Sequence, residues 1–225
     1  MATTGLSVII TGTTGMVGEG VLQGCLQSTE IGKVLVINRK SIGLSHPKLR
    51  EIIHADFFDF SPIASQLGGY DACFFCLGVS SIGMKEPEYY KLTYTLTLHV
   101  AQTLHRLNPS MTFCYISGAG TDGSEQGRSM WARVKGKTEN DLQKLFQKAY
   151  VFRPGFIRPI KGLKHTHAFY NWIGWLFPIG RSLATAWFCT MQELAAAMIH
   201  VAEKGYSKPV LEGKDIIQAA KSQVA

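Results

Sequence analysis

TGTTGMVG, residues 11–18, follows the apolar run LSVII of residues 6–10 and precedes a helix-forming stretch at residues 19–27. Glycines at 12, 15 and 18 let a strand turn tightly into a helix that packs close to the sheet. Gly15 also lets backbone N–H groups approach a phosphate, and the field of a helix N-terminus favours that anion. The stretch therefore predicts a loop that binds a dinucleotide pyrophosphate, with a plain strand-turn-helix as the alternative.

The end of the next apolar run, KVLVI at residues 33–37, indicates which dinucleotide is bound. A site for NAD normally places an acidic residue there to hold the ribose 2′-hydroxyl. This chain has Asn38-Arg39-Lys40 instead. A guanidinium can bind a 2′-phosphate with two hydrogen bonds, and a second cation reduces repulsion. The pattern favours NADP, and a solvated basic turn is the alternative.

The composition indicates one globular domain. The chain has 225 residues, of which 46% are hydrophobic and 17% charged, which suits a single α/β domain over residues 1–225. We expect a cofactor-binding core at residues 1–160 and a small substrate or lid lobe at residues 161–225. The net charge of +7 needs only an anionic cofactor as its partner, and no nucleic-acid motif is present.

Compartment and cysteine usage give further expectations. The first strand begins within ten residues, which leaves no room for a leader peptide ahead of it, so we expect a cytoplasmic protein. The five cysteines are an odd set, and alternation places Cys73 and Cys76 on opposite faces of one strand. No histidine is spaced to complete a zinc pattern, so we expect no metal site.

Apolar strands alternate with helical stretches almost to the C-terminus, which predicts an α/β fold: a Rossmann-type doubly wound parallel sheet in three layers. The predicted strands lie near 7–11, 33–38, 51–53, 72–76, 112–116, 150–153 and 209–211, and the predicted helices near 15–28, 87–107, 129–147 and 192–203. Residues 54–70 are predicted to be a connection with a small helix after Pro62. In such sheets the ligand lies beyond the carboxyl ends of the strands.

The motifs together resemble the short-chain dehydrogenase/reductase superfamily, and within it the compact atypical members, over about residues 7–159. TGTTGMVG is similar to the TGxxGxxG loop of the extended and atypical branches. The resemblance implies that Ser117 and Lys135 are the active-site serine and lysine. Taken with the basic residues above, it implies a cofactor site made of Gly12, Thr14, Gly15, Met16, Val17, Gly18, Arg39, Lys40, Asp56, Phe57, Leu77, Gly78, Val79, Lys135, Pro154, Gly155 and Ile157.

One position departs from the family pattern. The family's Tyr-x-x-x-Lys pair falls on Trp131 and Lys135, which share a helix face because they are four residues apart. An indole N–H can donate a hydrogen bond but is no practical acid or base. The residues that could replace the phenol as proton donor are Tyr89, Tyr90, Tyr94, Asp122 and His165.

The segment HTHAFYNWIGWLF at residues 165–177 is dense in aromatic residues. It suits a pocket for an apolar ligand or a lid, and equally a helix packed on the sheet or on a second subunit, so a homodimer is possible. Its apolar part, residues 168–179, is shorter than the roughly 20 residues of a membrane span.

Three functions fit these patterns. The leading hypothesis is an NADP(H)-binding oxidoreductase that acts on an apolar carbonyl or alcohol. The second is a non-catalytic protein that responds to NADP(H), which Trp131 favours. The third is an enzyme similar to nucleotide-sugar epimerases, although the chain after residue 160 is short for a sugar-nucleotide lobe.

Overall fold

The computed structural model describes residues 5–160, 162 and 187–224, and it contains a seven-stranded sheet in the order β3-β2-β1-β4-β5-β6-β9. Every neighbouring pair in this sheet is parallel. A separate parallel pair joins β7 to β8. The strands are β1 Leu6–Thr11, β2 Ile31–Asn38, β3 Leu49–Ile53, β4 Ala72–Phe75, β5 Thr112–Ile116, β6 Ala149–Arg153, β7 Phe156–Arg158, β8 Phe188–Thr190 and β9 Val210–Glu212.

The helices connect these strands and cover both faces of the sheet. They are α1 Met16–Gln27, a 3-10 turn Ser61–Gln66, α2 Glu86–Tyr90, a π-helical turn Lys91–Thr95, α3 Leu96–Leu107, α4 Met130–Leu145, α5 Met191–Lys204 and α6 Gly213–Val224. The strand order reverses between β1 and β4, which opens a crevice at the carboxyl edge of the sheet.

The core consists of two apolar clusters, one on each face of the sheet. Alternate strand residues such as Ile10 and Phe74 pack with α1, α5 and α6. The residues between them, such as Ile9 and Phe75, pack with the 3-10 turn, α3 and α4. The predicted three-layer doubly wound fold is confirmed.

Helix α5 lies on a surface of small residues on α1. A Cβ atom built on Gly20 would lie 2.2 Å from Cγ of Met191, and one on Gly24 would lie 2.7 Å from Cβ of Ala195. The N-terminus of α5 is closed by a capping box, in which Thr190 accepts from the Glu193 N–H at 3.1 Å and Glu193 accepts from the Thr190 N–H at 2.8 Å. Helix α5 is thus packed on α1, the helix that follows the glycine loop.

Most elements lie where the sequence pattern predicts them, within two residues at each end. The exceptions are β7, β8 and α6, which no pattern indicated, and the stretch 87–107, where a π-helical turn divides the expected helix. Cys73 lies in one core cluster and Cys76 packs against the other, which confirms that they face opposite sides of the sheet. The aromatic segment 165–177 lies outside the described residues.

Candidate functional site

The glycine loop between β1 and α1 is held by two close backbone approaches. Gly12 has a φ of 77°, and a Cβ atom there would lie 2.7 Å from the carbonyl oxygen of Cys76. A Cβ atom on Gly18 would lie 2.2 Å from the carbonyl oxygen of Gly12. Both positions therefore require glycine for the fold itself.

Gly15 differs from the other two glycines. A Cβ atom on Gly15 would meet only the Gly12 carbonyl oxygen, at an ordinary 3.5 Å. Gly15 is the N-cap of α1, and no side chain caps this helix. The uncapped N–H groups of the first turn point toward the space over Gly15, which suits a phosphate. The loop thus fits the pyrophosphate of a dinucleotide.

A cavity of about 190 Å³ lies at the carboxyl edge of the sheet, beyond β2, β3 and β4. It brings six of the predicted cofactor residues together: Arg39, Asp56, Phe57, Leu77, Gly78 and Val79. Its wall also contains Ala55, Phe58, Leu92 and Leu96, which no motif indicated. Leu92 and Leu96 come from the π-helical turn and α3, so only the tertiary fold places them here. The apolar walls and the charged rim suit a flat heterocycle with a polar substituent.

The two cations that follow β2 are exposed. Arg39 lies on the cavity wall, whereas Lys40 does not. Within residues 5–160, 162 and 187–224, neither side chain has a hydrogen-bond or ion-pair partner. Their charges are therefore available to an anionic ligand.

Ser117 and Thr121 form a hydroxyl pair directly after β5. Their oxygens lie 3.0 Å apart, and both side chains are buried. Thr121 donates its proton to the carbonyl oxygen of Gly118 at 2.8 Å. Ser117 is therefore the donor in the bond between the two hydroxyls, and its lone pairs remain available to a ligand. Thr121 was not among the residues singled out in the sequence.

Lys135 of α4 reaches the end of the same strand. Its Nζ donates to the carbonyl oxygen of Ile116, the residue before Ser117, at 3.4 Å, and lies 5.5 Å from the centre of the Tyr115 ring. No carboxylate in the described part of the chain forms an ion pair with it. Burial lowers the pKa of the Lys135 ammonium to about 8, against a smaller opposing effect of Glu139.

Glu139, one turn after Lys135, is held by another cation. Its side chain is 1% exposed and accepts from Arg153 at 2.5 Å and 3.1 Å. Arg153 also donates to Glu212 of β9 at 3.2 Å. Because Arg153 neutralises Glu139, this carboxylate does not pair with the Lys135 ammonium.

Trp131 lies one turn before Lys135, against the loop that carries Ser117. A Cβ atom on Gly120 would lie 3.6 Å from the edge of the indole ring, so the ring packs on the bare backbone there. The indole N–H has no acceptor in the described part of the chain. Among the described residues this N–H is thus an uncommitted hydrogen-bond donor at the position that the sequence motif aligns with the family's phenol.

Most of the alternative proton donors are already engaged. Asp122 accepts from Ser124 and from the Gly127 N–H at 2.6 Å, and these bonds lower its pKa, so it is ionised at neutral pH. Tyr94 donates to Asp141 at 2.8 Å, and burial together with that carboxylate raises its pKa.

The remaining tyrosines contact protein groups. Tyr89 is 1% exposed, and burial raises its pKa. The rings of Tyr90 and Tyr94 lie 4.7 Å apart, as their spacing on a helix predicts. His165 lies outside the described residues.

The loop after β6 closes the site on the side of the small sheet. The Pro154 carbonyl oxygen accepts from the Ala119 N–H at 3.0 Å, which joins this loop to the loop of Ser117. Gly155 is required sterically, since a Cβ atom there would lie 2.6 Å from the Trp187 carbonyl oxygen. Ile157 is buried in β7.

The described residues contain neither a metal-binding cluster nor a membrane-spanning helix. No group of three or more His, Cys, Asp and Glu side chains is placed to hold a metal ion. No helix is long and apolar enough to cross a membrane.

Comparisons with known proteins agree with this geometry. Over 146 residues the chain is 30% identical to leucinostatins biosynthesis cluster protein T of Purpureocillium lilacinum, a match that covers 63% of this chain and 52% of that protein. It is 24% identical to Protein FMP52, mitochondrial, of Chaetomium globosum, over 96% of this chain and 98% of that protein. The chain thus spans about half of the first relative and nearly all of the second.

Solved structures share the fold at low sequence identity. The enzyme WbmF of Bordetella bronchiseptica in complex with NAD+ has a TM-score of 0.65 and 17% identity, with 99% of this chain and 78% of that chain covered. ADP-L-glycero-D-manno-heptose-6-epimerase of Helicobacter pylori has a TM-score of 0.66 and 15% identity, with 98% and 82% covered.

The family assignment rests on the match to a family model. That model describes the NAD dependent epimerase/dehydratase family and matches residues 8–145, which include the glycine loop, the cavity wall, Ser117 and Lys135. The match and the structural neighbours confirm the resemblance to the short-chain dehydrogenase/reductase superfamily. The chain belongs to the NAD dependent epimerase/dehydratase family.

Proposed function

We propose that the protein is an NADP(H)-binding oxidoreductase that acts on an apolar carbonyl or alcohol. One observation carries this proposal: the candidate groups share the carboxyl edge of the sheet. The uncapped glycine loop follows β1, the cavity beside Arg39 lies beyond β2, β3 and β4, and Ser117 follows β5, whose end Lys135 reaches from α4. The WbmF structures, described as complexes with NAD+ and NADH, support a nicotinamide dinucleotide in this family fold.

The residues assigned to the cofactor divide by the part that each would hold. The glycine loop would hold the pyrophosphate, the cavity wall would hold the adenine, and Arg39 with Lys40 would hold the 2′-phosphate. The loop from Pro154 to Ile157 would flank the nicotinamide. When bound, NADP(H) supplies or accepts a hydride at C4 of that ring.

The reacting oxygen of a substrate would lie near Ser117. Because the Ser117 proton is directed to Thr121, the serine as it stands accepts a hydrogen bond from an alcohol, and it must turn from Thr121 to donate to a carbonyl. The Lys135 amine, with a pKa of about 8, can hold or release a proton near neutral pH without a phenol. The Trp131 N–H can orient the oxygen but cannot protonate it.

A non-catalytic protein that binds NADP(H) is the second candidate. It is favoured by Trp131, which packs on Gly120 where the family has its acid, and by the engagement of Asp122 and Tyr94 in hydrogen bonds with protein groups. In that case nucleotide binding would change a surface that a partner recognises.

An enzyme similar to nucleotide-sugar epimerases is the third candidate. The family name supports it, as does a WbmF structure described as a complex with NAD+ and UDP. This chain aligns with 76% of that WbmF chain.

The first experiment is a fluorescence titration of the wild-type protein with NADPH and with NADH. We expect NADPH to bind more tightly, and Arg39→Ala to remove that preference while the control Arg106→Ala keeps it. Failure of both nucleotides to bind would refute the proposed function.

The second experiment separates the three candidates by turnover. We expect slow NADPH oxidation with apolar aldehydes or ketones, its loss in Ser117→Ala, and its increase in Trp131→Tyr, which restores the phenol. NADPH binding without turnover in the wild type and in Trp131→Tyr would favour the non-catalytic candidate. Turnover with a UDP-sugar alone would favour the third.

The compartment and the assembly state are also proposals. The sequence suggests a cytoplasmic protein, whereas the name of the C. globosum relative includes the word mitochondrial. Fractionation of cells that express the full chain decides between these compartments. Light scattering after size-exclusion chromatography tests the possible homodimer.

A further inference from the structure

The carboxylate of Glu51 accepts hydrogen bonds from the end of β2 and from the turn that follows it. Glu51 lies on β3 opposite Val36. Its Oε2 accepts from the Ser41 hydroxyl at 2.6 Å, and its Oε1 accepts from the Ile42 N–H at 3.0 Å and from the Asn38 amide at 3.4 Å. Three donors within five residues therefore converge on one side chain.

The same contacts continue to the glycine loop. The Asn38 amide also donates to the Thr13 hydroxyl at 2.7 Å, and these two side chains are 3% and 1% exposed. The chain of hydrogen bonds runs from Thr13 through Asn38 to Glu51 and on to Ser41. It joins the loop assigned to the pyrophosphate to the turn that follows β2.

Arg39 and Lys40 lie in the middle of residues 38–42, the segment that is hydrogen-bonded to Glu51. Neither cation has a partner of its own within the described residues, so what holds their backbone is the anchoring of Asn38 on one side and of Ser41 and Ile42 on the other. Glu51 does not line the cavity, and both of its oxygens already accept hydrogen bonds. It is thus engaged with protein donors away from the cavity, whereas the acid of an NAD site faces the ribose 2′-hydroxyl.

We propose that Glu51 is a positioning residue that sets the preference for the 2′-phosphorylated nucleotide by holding the turn that carries Arg39 and Lys40. The inference rests on the proposed function, because it requires that this turn binds the nucleotide. A held turn presents its cations to the phosphate without the entropic cost of ordering a loose one. NADH lacks the 2′-phosphate that these cations would bind, so its affinity should depend less on the turn than that of NADPH.

The test compares two variants with a control in the full chain. Glu51→Gln removes the charge and weakens the anchoring. Ser41→Ala removes one of the three bonds to Glu51, together with the bond from the Gly43 N–H, at an exposed position that leaves the core untouched. The control, Glu30→Gln, makes the same chemical change directly before β2, at the amino ends of the strands. Dissociation constants are measured for NADPH, NADH and 2′,5′-ADP, which carries the 2′-phosphate without the nicotinamide.

We expect Glu51→Gln to weaken NADPH and 2′,5′-ADP by about five- to tenfold and NADH by less than about twofold, with a smaller change of the same kind in Ser41→Ala. If the affinities for NADPH and NADH fall equally in both variants, the role of Glu51 is merely structural. That result would overturn this inference but not the proposed function. Tighter NADPH binding in Glu51→Gln would mean that Glu51 repels the phosphate, and this also overturns it. If the wild type binds neither nucleotide, the proposed function is overturned and this inference with it.

Discussion

Replacement of Lys135 by methionine should stabilise the protein at neutral pH, although Lys135 is assigned to the active site. The ammonium is partly buried without an ion pair in the described part of the chain, and burial lowers its pKa from 10.5 to about 8. Methionine keeps the length of the side chain and removes the charge. It gives up the 3.4 Å bond to the Ile116 carbonyl oxygen and the contact with the Tyr115 ring.

The magnitude follows from the two pKa values. One pH unit corresponds to about 1.36 kcal/mol, so the difference between 10.5 and about 8 sets an upper limit of about 3.4 kcal/mol. Partial solvation of Nζ and the lost hydrogen bond, which is worth about 1 kcal/mol, reduce the expected gain to about 1–2 kcal/mol. For a chain of this length that is a rise in Tm of about 2–8 °C.

The pH dependence of unfolding distinguishes burial of the Lys135 charge from other causes of stabilisation. Between pH 8 and 10.5 the unfolded chain binds the Lys135 proton more tightly than the folded chain, so the wild type gains stability as pH rises through this window. The free-energy cost of burying the charged Lys135 side chain is fully present below pH 8. The advantage of Lys135→Met should therefore be largest at pH 7 and should shrink towards pH 10.

The assay is urea or thermal unfolding of the wild type, Lys135→Met and the exposed control Lys214→Met at pH 7 and at pH 10. We expect the control to match the wild type at both pH values. A Lys135→Met protein that is less stable at pH 7, or whose advantage is the same at both pH values, would refute the reasoning.

Four further predictions concern the glycine loop, a helix cap and the Cys25 thiol. Gly18→Ala places a Cβ atom 2.2 Å from the Gly12 carbonyl oxygen and should destabilise the fold by more than about 3 kcal/mol in urea unfolding. Gly15→Ala, with its Cβ atom at 3.5 Å, should leave the fold intact and weaken nucleotide binding. Thr190→Ala removes the capping box of α5 and should cost about 1 kcal/mol, measured as a lower Tm. Burial raises the pKa of the Cys25 thiol, so it should react with a disulfide reagent at pH 8 only after urea unfolding.

The sheet could be predicted because its signals are local. Strands β1 and β2 are runs of apolar residues with turn residues at their ends. Gly12 and Gly18 mark the turn from β1 into α1. The three-residue strands β7 and β8 escaped prediction, because a strand of that length shows no alternation and pairs with residues about 30 positions away.

The candidate site was predictable only in part, for a similar reason. Ser117 and Lys135 are recognised by motif, and the structure brings the Lys135 Nζ to the residue before Ser117. Glu51 is 13 residues from Asn38 in sequence and meets it only through strand pairing. Asp122 was a candidate acid by residue type, and its role in closing a turn becomes visible only from the donors around it.

The surface of small residues on α1 has a consequence for the order in which contacts form during synthesis. Helix α1 ends at Gln27, but α5, which covers Gly20 and Gly24, begins only at Met191. The face of the sheet that packs with α1, α5 and α6 therefore stays partly uncovered until α5 and α6 have been synthesised. Contacts this distant in sequence form late and leave apolar surface open to aggregation and to chaperones. The nascent chain is thus most vulnerable just before α5 and α6 emerge.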